Sequence, residues 1–595
     1  MKRQERFINK YIKVDGKGNK YIGFNISNNT FNMKIKYIIG SLTLILASLI
    51  SVYIPYLVSL IVDNIDNVLN FMDNKILLVI LFLFQTILVS VGNISFVNIS
   101  ENKAFEIREN IISSIVYSSE ESLDTINVER LPSHLDNNIS VIKNFYGRSI
   151  PNIISAIVTV IISIYFLFSL DSKLSIVLLT MLPCIMIVVM PISIISGKYS
   201  NSFQLENSKY IEKLSNIFNN NIYIKSLNGQ KDIIKNLDEN SKEIKRYSSK
   251  NRKIDSFAQP FLTIFLIAII AIIFIVGGSR VNQGKISVGV LIAYLLYIFQ
   301  LLNPISNISY FFSDLNRLKV NKKELQVYED LAKEDFTEND KKHIGKIDNI
   351  SFKNVNFSYP KKDYGIEDIN LNIGPGEKIA LVGDSGAGKS TVFKLLLKLY
   401  ELKKGNIFIN GVDINDINLK SLREKIKLVP QENSIVYSNL EEFLKLGEES
   451  LDYESIDKYI KELRLDKALG ESSEEYMSYD FKLGAKNLSA GEKQRILILK
   501  SLITNFDVLL MDESTSSLDS ELENIVFEII KRDLSDKMIL FITHRLSTVK
   551  YMDRVIFMEN GQITGNDVHE NLYKTHKRYK TYIDMQNIER KENIA

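Results

Sequence analysis

Glycine, lysine and hydroxyl residues follow one another closely in the second half of the chain, in the run Gly383-Asp384-Ser385-Gly386-Ala387-Gly388-Lys389-Ser390-Thr391. The apolar residues 379–382 precede it and have the character of a buried parallel strand. The spacing GxxxxGK[ST] lets backbone N–H groups surround phosphates at the start of a helix. It places Lys389 to reach the β- and γ-phosphates and the Ser390 hydroxyl to hold Mg²⁺. The run therefore predicts a nucleoside triphosphate site.

A pair of carboxylates ends a second apolar run. Residues 508–511 are apolar, and Asp512 and Glu513 follow them directly. Many strands end in an acidic residue, so this pair alone is weak evidence. Behind a phosphate loop, it predicts that Asp512 holds Mg²⁺, directly or through water, and that Glu513 polarises the attacking water. ATP and Mg²⁺ are thus the expected ligands.

Five further short motifs accompany these two runs. They are Phe357-Ser358-Tyr359-Pro360, Val429-Pro430-Gln431, Leu488-Ser489-Ala490-Gly491-Glu492, Ser517-Leu518-Asp519 and Thr543-His544-Arg545. Each motif alone is weak, because a single tyrosine or histidine near a turn more often serves packing. All seven in this order resemble the ABC transporter superfamily, and the fusion of membrane and ATPase halves is similar to its exporter branch. The resemblance covers roughly residues 36–590.

The resemblance implies a role for each motif. Tyr359 would stack on adenine, Gln431 would sense Mg²⁺ and meet the membrane domain, and His544 would contact the γ-phosphate. The implied catalytic residues are Glu513, His544 and Gln431, and the implied metal ligands are Ser390, Gln431 and Asp512.

The resemblance also implies a dimer in which two ATPase domains enclose two ATP molecules. Ser489, the backbone at Ala490 and Gly491, and an adjacent helix N-terminus would form a second anion cradle facing the phosphate loop of the other copy. The loop that ends at Asp519 would cross between the subunits. ATP would bind the closed dimer better than the open one and so shift the population towards closure.

The signature motif departs from the usual LSGGQ of the family. Ala490 and Glu492 replace glycine and glutamine, and Leu483 stands about where exporters normally carry an acidic residue. Glu513 and His544 are intact. With this atypical signature, the chain resembles family members that work in heterodimers. We therefore expect a homodimer and keep a heterodimer with a second half-transporter as the alternative.

Six charge-free stretches precede these motifs, at 37–62, 76–100, 149–170, 174–197, 256–279 and 286–313. Each exceeds the roughly 20 residues that a helix needs to cross a bilayer. The predicted fold is an all-α six-helix transmembrane domain joined to an α/β P-loop ATPase domain with a helical subdomain. The expected limits are a tail at 1–35, the membrane domain at 36–325 and the ATPase domain at 335–595.

The charge distribution predicts the orientation in the membrane. Residues 1–36 carry nine lysines and arginines, whereas the short loops 63–75, 171–173 and 280–285 carry four. The positive-inside rule makes the tail cytoplasmic, on the same side as the ATPase domain. The expected location is the cell membrane, as a multi-pass protein of a bacterium, since the many Ile, Asn and Lys residues suggest an AT-rich genome.

The two long charged connections, 101–148 and 198–255, lie on the cytoplasmic side. Segments 102–120 and 202–214 have a helical pattern, which predicts that the spans continue beyond the membrane; polar linkers are the alternative. Segments 118–132 and 218–232 are the expected contacts of the membrane domain with the ATPase domain.

Composition excludes several other classes of protein. The net charge is only +3, and no basic cluster indicates a nucleic-acid partner. A single cysteine, Cys184, allows no internal disulfide and no CxxC site. No ionisable residue lies deep in a predicted span, which argues against ion-coupled transport.

These observations predict ATP-dependent export of a substrate such as a peptide, a lipid or a drug. The alternatives are an ATP-gated channel, a regulatory membrane ATPase, or one subunit of a heterodimeric exporter. We do not expect this chain to cleave leader peptides, because its N-terminal tail is short and lacks cysteine.

Overall fold

A computed structural model describes the chain apart from fourteen short stretches. These are 1–11, 15–19, 23–29, 64–67, 127–130, 335–340, 361–364, 432–434, 436–438, 449, 471, 480, 482–487 and 593–595. The chain forms two compact units. The first contains Ile22–Ser118 and Ile126–Ala332, and the second contains Ser119–Thr125 and Lys333–Ala595. Most of the tail 1–35, together with Leu483, lies outside the described residues, and the predicted domain limits remain predictions.

Helices dominate the chain before residue 330. In order, the elements are β1 (Ile12–Val14), β2 (Lys20–Ile22), α1 (Thr30–Asp63), α2 (Val68–Val116), α3 (Glu120–Leu123), α4 (Leu131–Asn144), α5 (Ile150–Leu170), α6 (Ser172–Asn219), α7 (Asn221–Ser226), α8 (Gln230–Asn282) and α9 (Val288–Glu329). A single π-helical turn, Phe145–Ser149, joins α4 to α5. The short helix α3 belongs to the second unit.

Five helical stretches among the described residues are long and apolar enough to cross a membrane. They are Met33–Asp63, Lys75–Val116, Leu135–Leu170, Thr263–Asn282 and Val288–Glu329. The remaining predicted span, 174–197, falls within α6, where several side chains between 181 and 193 lie outside the described part of the chain. The prediction of a helical membrane half is confirmed.

The helices also continue well beyond the predicted spans. Helix α2 extends to Val116, α6 extends to Asn219, and α8 begins at Gln230, ahead of the span at 256–279. The long connections are therefore largely helical, as predicted, and the alternative of polar linkers is wrong for these segments.

Buried hydroxyl groups and one ion pair stabilise the membrane unit. Tyr297 is fully buried and donates its hydroxyl proton to the carbonyl oxygen of Val52 at 2.8 Å. Tyr294, equally buried, has its hydroxyl 2.7 Å from the Ser175 Oγ. Asp171 accepts from the Leu174 N–H at the start of α6 and pairs with Arg280 near the end of α8. A buried polar group without such a partner would destabilise the unit.

The second unit alternates strands and helices. After α3 its elements are β3 (Ile350–Ser358), β4 (Gly365–Ile373), β5 (Lys378–Gly383), α10 (Lys389–Leu396), β6 (Lys404–Ile409), β7 (Val412–Asp413), α11 (Leu419–Lys425), β8 (Ile426–Val429), α12 (Leu440–Lys445), α13 (Tyr453–Glu462), α14 (Asp466–Leu469), α15 (Ser473–Met477), α16 (Ala490–Leu502), β9 (Val508–Asp512), α17 (Ser520–Asp533), β10 (Met538–Ile542), α18 (Leu546–Val549), β11 (Arg554–Glu559), β12 (Gln562–Asp567), α19 (His569–Thr575) and α20 (Lys577–Glu592). Helices α12 to α16 form the predicted helical part.

Two sheets organise this unit. The larger has the strand order β12-β11-β5-β10-β9-β8, in which only β12 is antiparallel. The smaller is antiparallel, with the order β4-β3-β6-β7. Strand β10 is buried at every residue, as expected for a parallel strand covered on both faces.

The sheet order brings the predicted chemistry to one edge. Strand β10 lies between β5 and β9 and runs parallel to both. The carboxyl ends of parallel strands meet at one edge of a sheet, where ligands of open α/β sheets bind. The phosphate loop after β5, the carboxylates after β9 and His544 after β10 therefore lie together.

Candidate active site

The phosphate loop wraps the start of α10, and its backbone requires glycine. Gly388 has φ 96°, a conformation that L side chains rarely adopt. A Cβ at this position would lie 2.5 Å from the Cγ2 of Ile366. Lys389 donates its Nζ protons to the carbonyl oxygens of Gly383 and Asp384, each at 2.8 Å. Burial lowers the pKa of the Lys389 ammonium. A neighbouring anion would stabilise the charged form of this side chain.

Asp512 and Ser390, two of the three predicted metal ligands, contact each other. The Asp512 carboxylate, at the end of β9, is hydrogen-bonded by the Ser390 side chain, although burial still raises its pKa. Among the described residues, no three acidic, histidine or cysteine side chains form a metal cluster. Mg²⁺ at phosphates needs only one or two protein ligands, because water and phosphate oxygens supply the others. The two side chains fit such an ion.

Glu513 is held by its backbone and by its side chain. Its φ of 45° is unusual for a residue with a side chain, and its N–H donates to the carbonyl oxygen of Ile542 at 3.0 Å. Gln431 donates its Nε2 proton to one carboxylate oxygen at 2.8 Å, and Nε2 of His544 lies 2.8 Å from the other. The structure thus brings together all three predicted catalytic side chains.

His544 sits between two partners. Its Nε2 faces Glu513, and its Nδ1 lies 2.7 Å from the hydroxyl of Tyr582. Burial lowers the pKa of the imidazole, and the nearby Lys389 charge lowers it further, whereas Glu513 opposes the shift. A neutral ring with one donor and one acceptor nitrogen fits both contacts.

Tyr359, the residue predicted to stack on adenine, lies within a cluster of aromatic rings. Its ring centroid is 5.0 Å from that of Phe357 and 5.2 Å from that of Tyr400, both in edge contact. Its hydroxyl is 3.1 Å from the Thr391 Oγ1, and the Lys394 ammonium lies 5.4 Å from its ring centroid. These contacts tie the tyrosine to the phosphate loop and to α10.

A cavity of about 340 Å³ connects these groups. It is lined by Asp124, Tyr359, Gly365, Ser385, Gly386, Gly388, Lys389, Ser390, Thr391, Lys394, Tyr400, Gln431, Glu513, Ile542 and His544. Asp124, from the predicted contact segment 118–132, accepts a hydrogen bond from the Tyr400 hydroxyl at 2.8 Å. No motif in the sequence predicts that Tyr400 lines this cavity.

The signature motif forms the start of α16. Ser489 accepts from the Glu492 N–H at 3.2 Å, and the Glu492 carboxylate accepts from the Ser489 N–H at 2.7 Å. This is a capping box, in which either glutamate or glutamine can occupy the second position. Gly491 is required by packing, since a Cβ there would lie 2.9 Å from the carbonyl oxygen of Ser517.

Gln494 links the signature helix to the catalytic glutamate, and sequence reasoning missed it. The residue is fully buried. Its amide donates to the Glu513 carbonyl oxygen at 3.3 Å and accepts from the Ser517 N–H at 3.0 Å. Arg545 supports the same loop by donating to the Ser516 carbonyl oxygen at 2.6 Å. Gln494 lies two residues after the signature motif and Arg545 belongs to the motif Thr543-His544-Arg545, but neither residue has a role that the sequence alone predicts.

The three predicted nucleotide contacts outside the phosphate loop and Tyr359 do not line the cavity. Among the described residues, neither Ser489, Gly491 nor Asp519 contributes to its lining. Asp519 caps α17 by accepting from the Leu522 N–H at 2.8 Å. Within a single chain, the signature residues and the phosphate loop therefore belong to different surfaces.

Comparison with known proteins decides the family. The family model of the ABC transporter transmembrane region matches residues 37–305, and the model described as ABC transporter matches residues 366–516. The chain belongs to the ABC transporter family. This ABC transporter carries its membrane and ATPase halves on one chain, as predicted, and is an ATP-hydrolysing, multi-pass membrane protein that drives export.

Three relatives of this ABC transporter have names that describe a transporter or a flippase. A multidrug resistance ABC transporter ATP-binding and permease protein of Lactococcus lactis is 27% identical over 92% of this chain and 93% of its own. An ATP-dependent lipid A-core flippase of Desulfotalea psychrophila is 27% identical over 71% and 73%. The lactococcin-G-processing and transport protein of Lactococcus lactis is 32% identical over 64% and 53%.

A solved structure shares the fold. The structure of a bacterial Atm1-family ABC exporter with ATP bound superposes with a TM-score of 0.80, covering 94% of this chain and 99% of that one at 18% identity. The predicted fold class, a helical membrane domain joined to an α/β ATPase domain, is thereby confirmed.

Proposed function

We propose that two copies of this chain form an exporter that binds each ATP between the phosphate loop of one copy and the signature motif of the other. The observation that supports this is the separation of the two surfaces. Ser489 and Gly491 form a rigid, capped helix start, yet they contribute nothing to the lining of the cavity beside Lys389 in the same chain. In the proposed dimer, the signature motif of the second copy would face this cavity.

The residues around Glu513 support a hydrolytic role. A carboxylate that accepts from Gln431 and His544 is held in one orientation and can accept a proton from an attacking water. Lys389 and the loop N–H groups would bind the phosphates, and His544 would donate to the γ-phosphate. Ser390, Gln431 and Asp512 would hold Mg²⁺, which neutralises charge on the transferred phosphoryl group when bound.

We propose an amphipathic or apolar compound as cargo. The relatives named above are, by their names, a multidrug resistance transporter, a lipid A-core flippase and a lactococcin-G-processing and transport protein. No ionisable residue lies deep in the predicted spans, which is consistent with ATP hydrolysis as the energy source.

We favour a homodimer, and the capping box supports this choice. The Glu492 carboxylate, which replaces the usual amide, is engaged with the Ser489 N–H rather than directed at a neighbouring phosphate. The unusual signature is therefore compatible with a working site. The alternative, pairing with a different half-transporter, predicts that the purified chain hydrolyses ATP only after the second chain is added.

The test is to purify the chain, reconstitute it and measure Mg²⁺-dependent ATP hydrolysis together with ATP-driven uptake of a fluorescent lipophilic dye into inside-out vesicles. Glu513→Gln serves as the control. We expect hydrolysis and uptake from the wild-type chain alone and neither from the variant. Equal activity in both would contradict the proposal, and ATP-dependent currents without uptake would indicate a channel.

A further inference from the structure

The C-terminal helix α20 is packed against the ATPase unit beside the active site. Tyr579 and Ile583 on this helix are 0% and 2% exposed. The rings of Tyr579 and Tyr582 lie 5.3 and 5.7 Å from the ring of Phe557 on β11. Residues three and four apart share one face of a helix. This face of α20 is therefore fixed on the sheet, and Tyr582 has a defined position.

The hydroxyl of Tyr582 reaches the active site. Its Oη lies 2.7 Å from the Nδ1 of His544 and 3.5 Å from the carbonyl oxygen of Gly383. On the other side of the imidazole, Nε2 lies 2.8 Å from the Glu513 carboxylate. An ionised carboxylate offers only acceptors, so Nε2 carries the proton. In a neutral ring Nδ1 is then the acceptor, and the Tyr582 hydroxyl donates to it.

We propose that Tyr582 is a positioning residue for ATP hydrolysis, holding the His544 ring by its Nδ1 so that the Nε2 proton faces Glu513 and the γ-phosphate position. The proton position of an imidazole is set by the bond that its other nitrogen makes. Without the hydroxyl, the ring can rotate or exchange tautomers. The inference rests on the proposed function, because it requires His544 to act during hydrolysis.

A second contact from α20 is weaker. Arg578 lies 3.1 Å from the Asp384 carboxylate of the phosphate loop and 3.2 Å from that of Glu559. The side chains of Arg578 and Asp384 are 62% and 56% exposed, and exposed ion pairs contribute little. Tyr582, whose partner lines the cavity, is thus the residue of α20 through which the helix acts on the site.

The chain contains a matched control on the same helix. The Tyr579 hydroxyl lies 2.7 Å from the Nδ1 of His569, which repeats the contact between Tyr582 and His544. Neither Tyr579 nor His569 lines the cavity. Tyr579→Phe therefore removes the same kind of hydrogen bond from α20 without touching the active site.

The experiment measures steady-state Mg²⁺-ATPase activity of the full-length transporter in lipid nanodiscs for the wild type, Tyr582→Phe and Tyr579→Phe, with the thermal midpoint of each. We expect Tyr582→Phe to lower kcat about tenfold, the effect of one lost orienting hydrogen bond. Its KM for ATP should stay within about twofold, because phosphate binding by Lys389 is unchanged. Tyr579→Phe should keep kcat, although both variants lower the thermal midpoint similarly.

A second comparison separates positioning from general destabilisation. In a His544→Ala background, Tyr582→Phe should cause no further loss of single-turnover hydrolysis, because residues that act as a unit are not additive. Equal losses of kcat in Tyr582→Phe and Tyr579→Phe, or a full additional loss in the His544→Ala background, would overturn the inference.

Failure of the proposed function gives a different result. Glu513→Gln and His544→Ala would then hydrolyse ATP as fast as the wild type. That result would refute both the proposed function and the positioning role of Tyr582. Loss of activity in those two variants, combined with wild-type kcat in Tyr582→Phe, would refute the positioning role alone.

Discussion

The ATPase unit presents two surfaces that differ in which groups their polar side chains bond to. On the phosphate-loop surface, the side chains of Gln431 and His544 both bond to the Glu513 carboxylate, around a cavity that Lys389 also lines. On the signature surface, formed by Ser489, Gly491 and Glu492, the polar groups bond back to the helix that carries them.

This difference indicates how the two surfaces are used. The phosphate-loop surface is arranged around a ligand that its own chain binds. The signature surface is a helix start closed by its own capping box, in which the Glu492 carboxylate accepts from the Ser489 N–H. Gln494 connects the two, because it bonds to the Glu513 carbonyl oxygen and to the Ser517 N–H. Through Gln494, a movement of one surface can therefore change the geometry of the other.

The largest expected effect on ATP affinity is the loss of nucleotide binding in Lys389→Ala. Hydrogen bonds to charged groups contribute about 1.5–3 kcal/mol each, so losing the ammonium should weaken ATP binding on the order of 100-fold. Isothermal titration with ATP measures this effect, and an unchanged thermal midpoint without nucleotide shows that the fold is intact. Wild-type affinity for ATP in this variant would contradict the assignment of ATP binding to the phosphate-loop surface.

Glu513→Gln should stop hydrolysis while preserving binding. Loss of a general base lowers the rate about 10²- to 10⁴-fold. The amide can still accept one hydrogen bond on the phosphate-loop surface, so ATP affinity should remain close to that of the wild type. Single-turnover hydrolysis together with titration separates the two quantities. A parallel fall in affinity and rate would mean that Glu513 serves ATP binding rather than the chemical step.

Gln494→Leu tests the connection between the surfaces. The leucine has a similar volume, but it leaves the Ser517 N–H and the Glu513 carbonyl oxygen without this partner. Unpaired buried groups cost about 1–3 kcal/mol each, so the free energy of unfolding should fall by that order and hydrolysis should slow. Chemical denaturation and ATPase assays measure both. Slower hydrolysis without lost stability would place the residue in the chemistry instead.

The smallest expected effect is that of Glu492→Gln, which restores the usual amide of the signature. Glutamine also completes a capping box, so hydrolysis and stability should change by less than about twofold and about 0.5 kcal/mol. Glu492→Ala is the matched variant and should lose about 0.5–1 kcal/mol, as other capping losses do. A large gain of activity in Glu492→Gln would show that the carboxylate hinders the wild-type site.

The sequence predicts these two surfaces unequally. The phosphate loop and the carboxylates after β9 are readable because their chemistry requires fixed residue types at fixed spacing. The roles of His544 and of the signature motif were predicted from the resemblance to the family. Gln494, Tyr400 and Tyr582 were missed because their partners are distant in sequence, so no local pattern of residues points to these contacts.

The membrane half is predictable at a coarser level. Its spans follow from composition alone, since hydrocarbon demands long apolar stretches. Its internal contacts, such as the Tyr297 hydroxyl on the Val52 carbonyl oxygen, depend on which helices are neighbours and have no local signal. Cargo recognition depends on such contacts, which is why the sequence specifies the energy source more clearly than the substrate.

The most direct test asks whether each ATP is held by two chains. Two differently tagged forms, both carrying Glu513→Gln to prevent hydrolysis, are co-expressed; one adds Lys389→Ala and the other Ser489→Arg. In a mixed dimer, one site then joins two intact surfaces and the other joins two damaged ones. We predict that mixed dimers retain one tightly bound ATP while either variant paired with itself retains none. No retained ATP in purified mixed dimers would contradict the account, because it would place both surfaces of each site on a single chain.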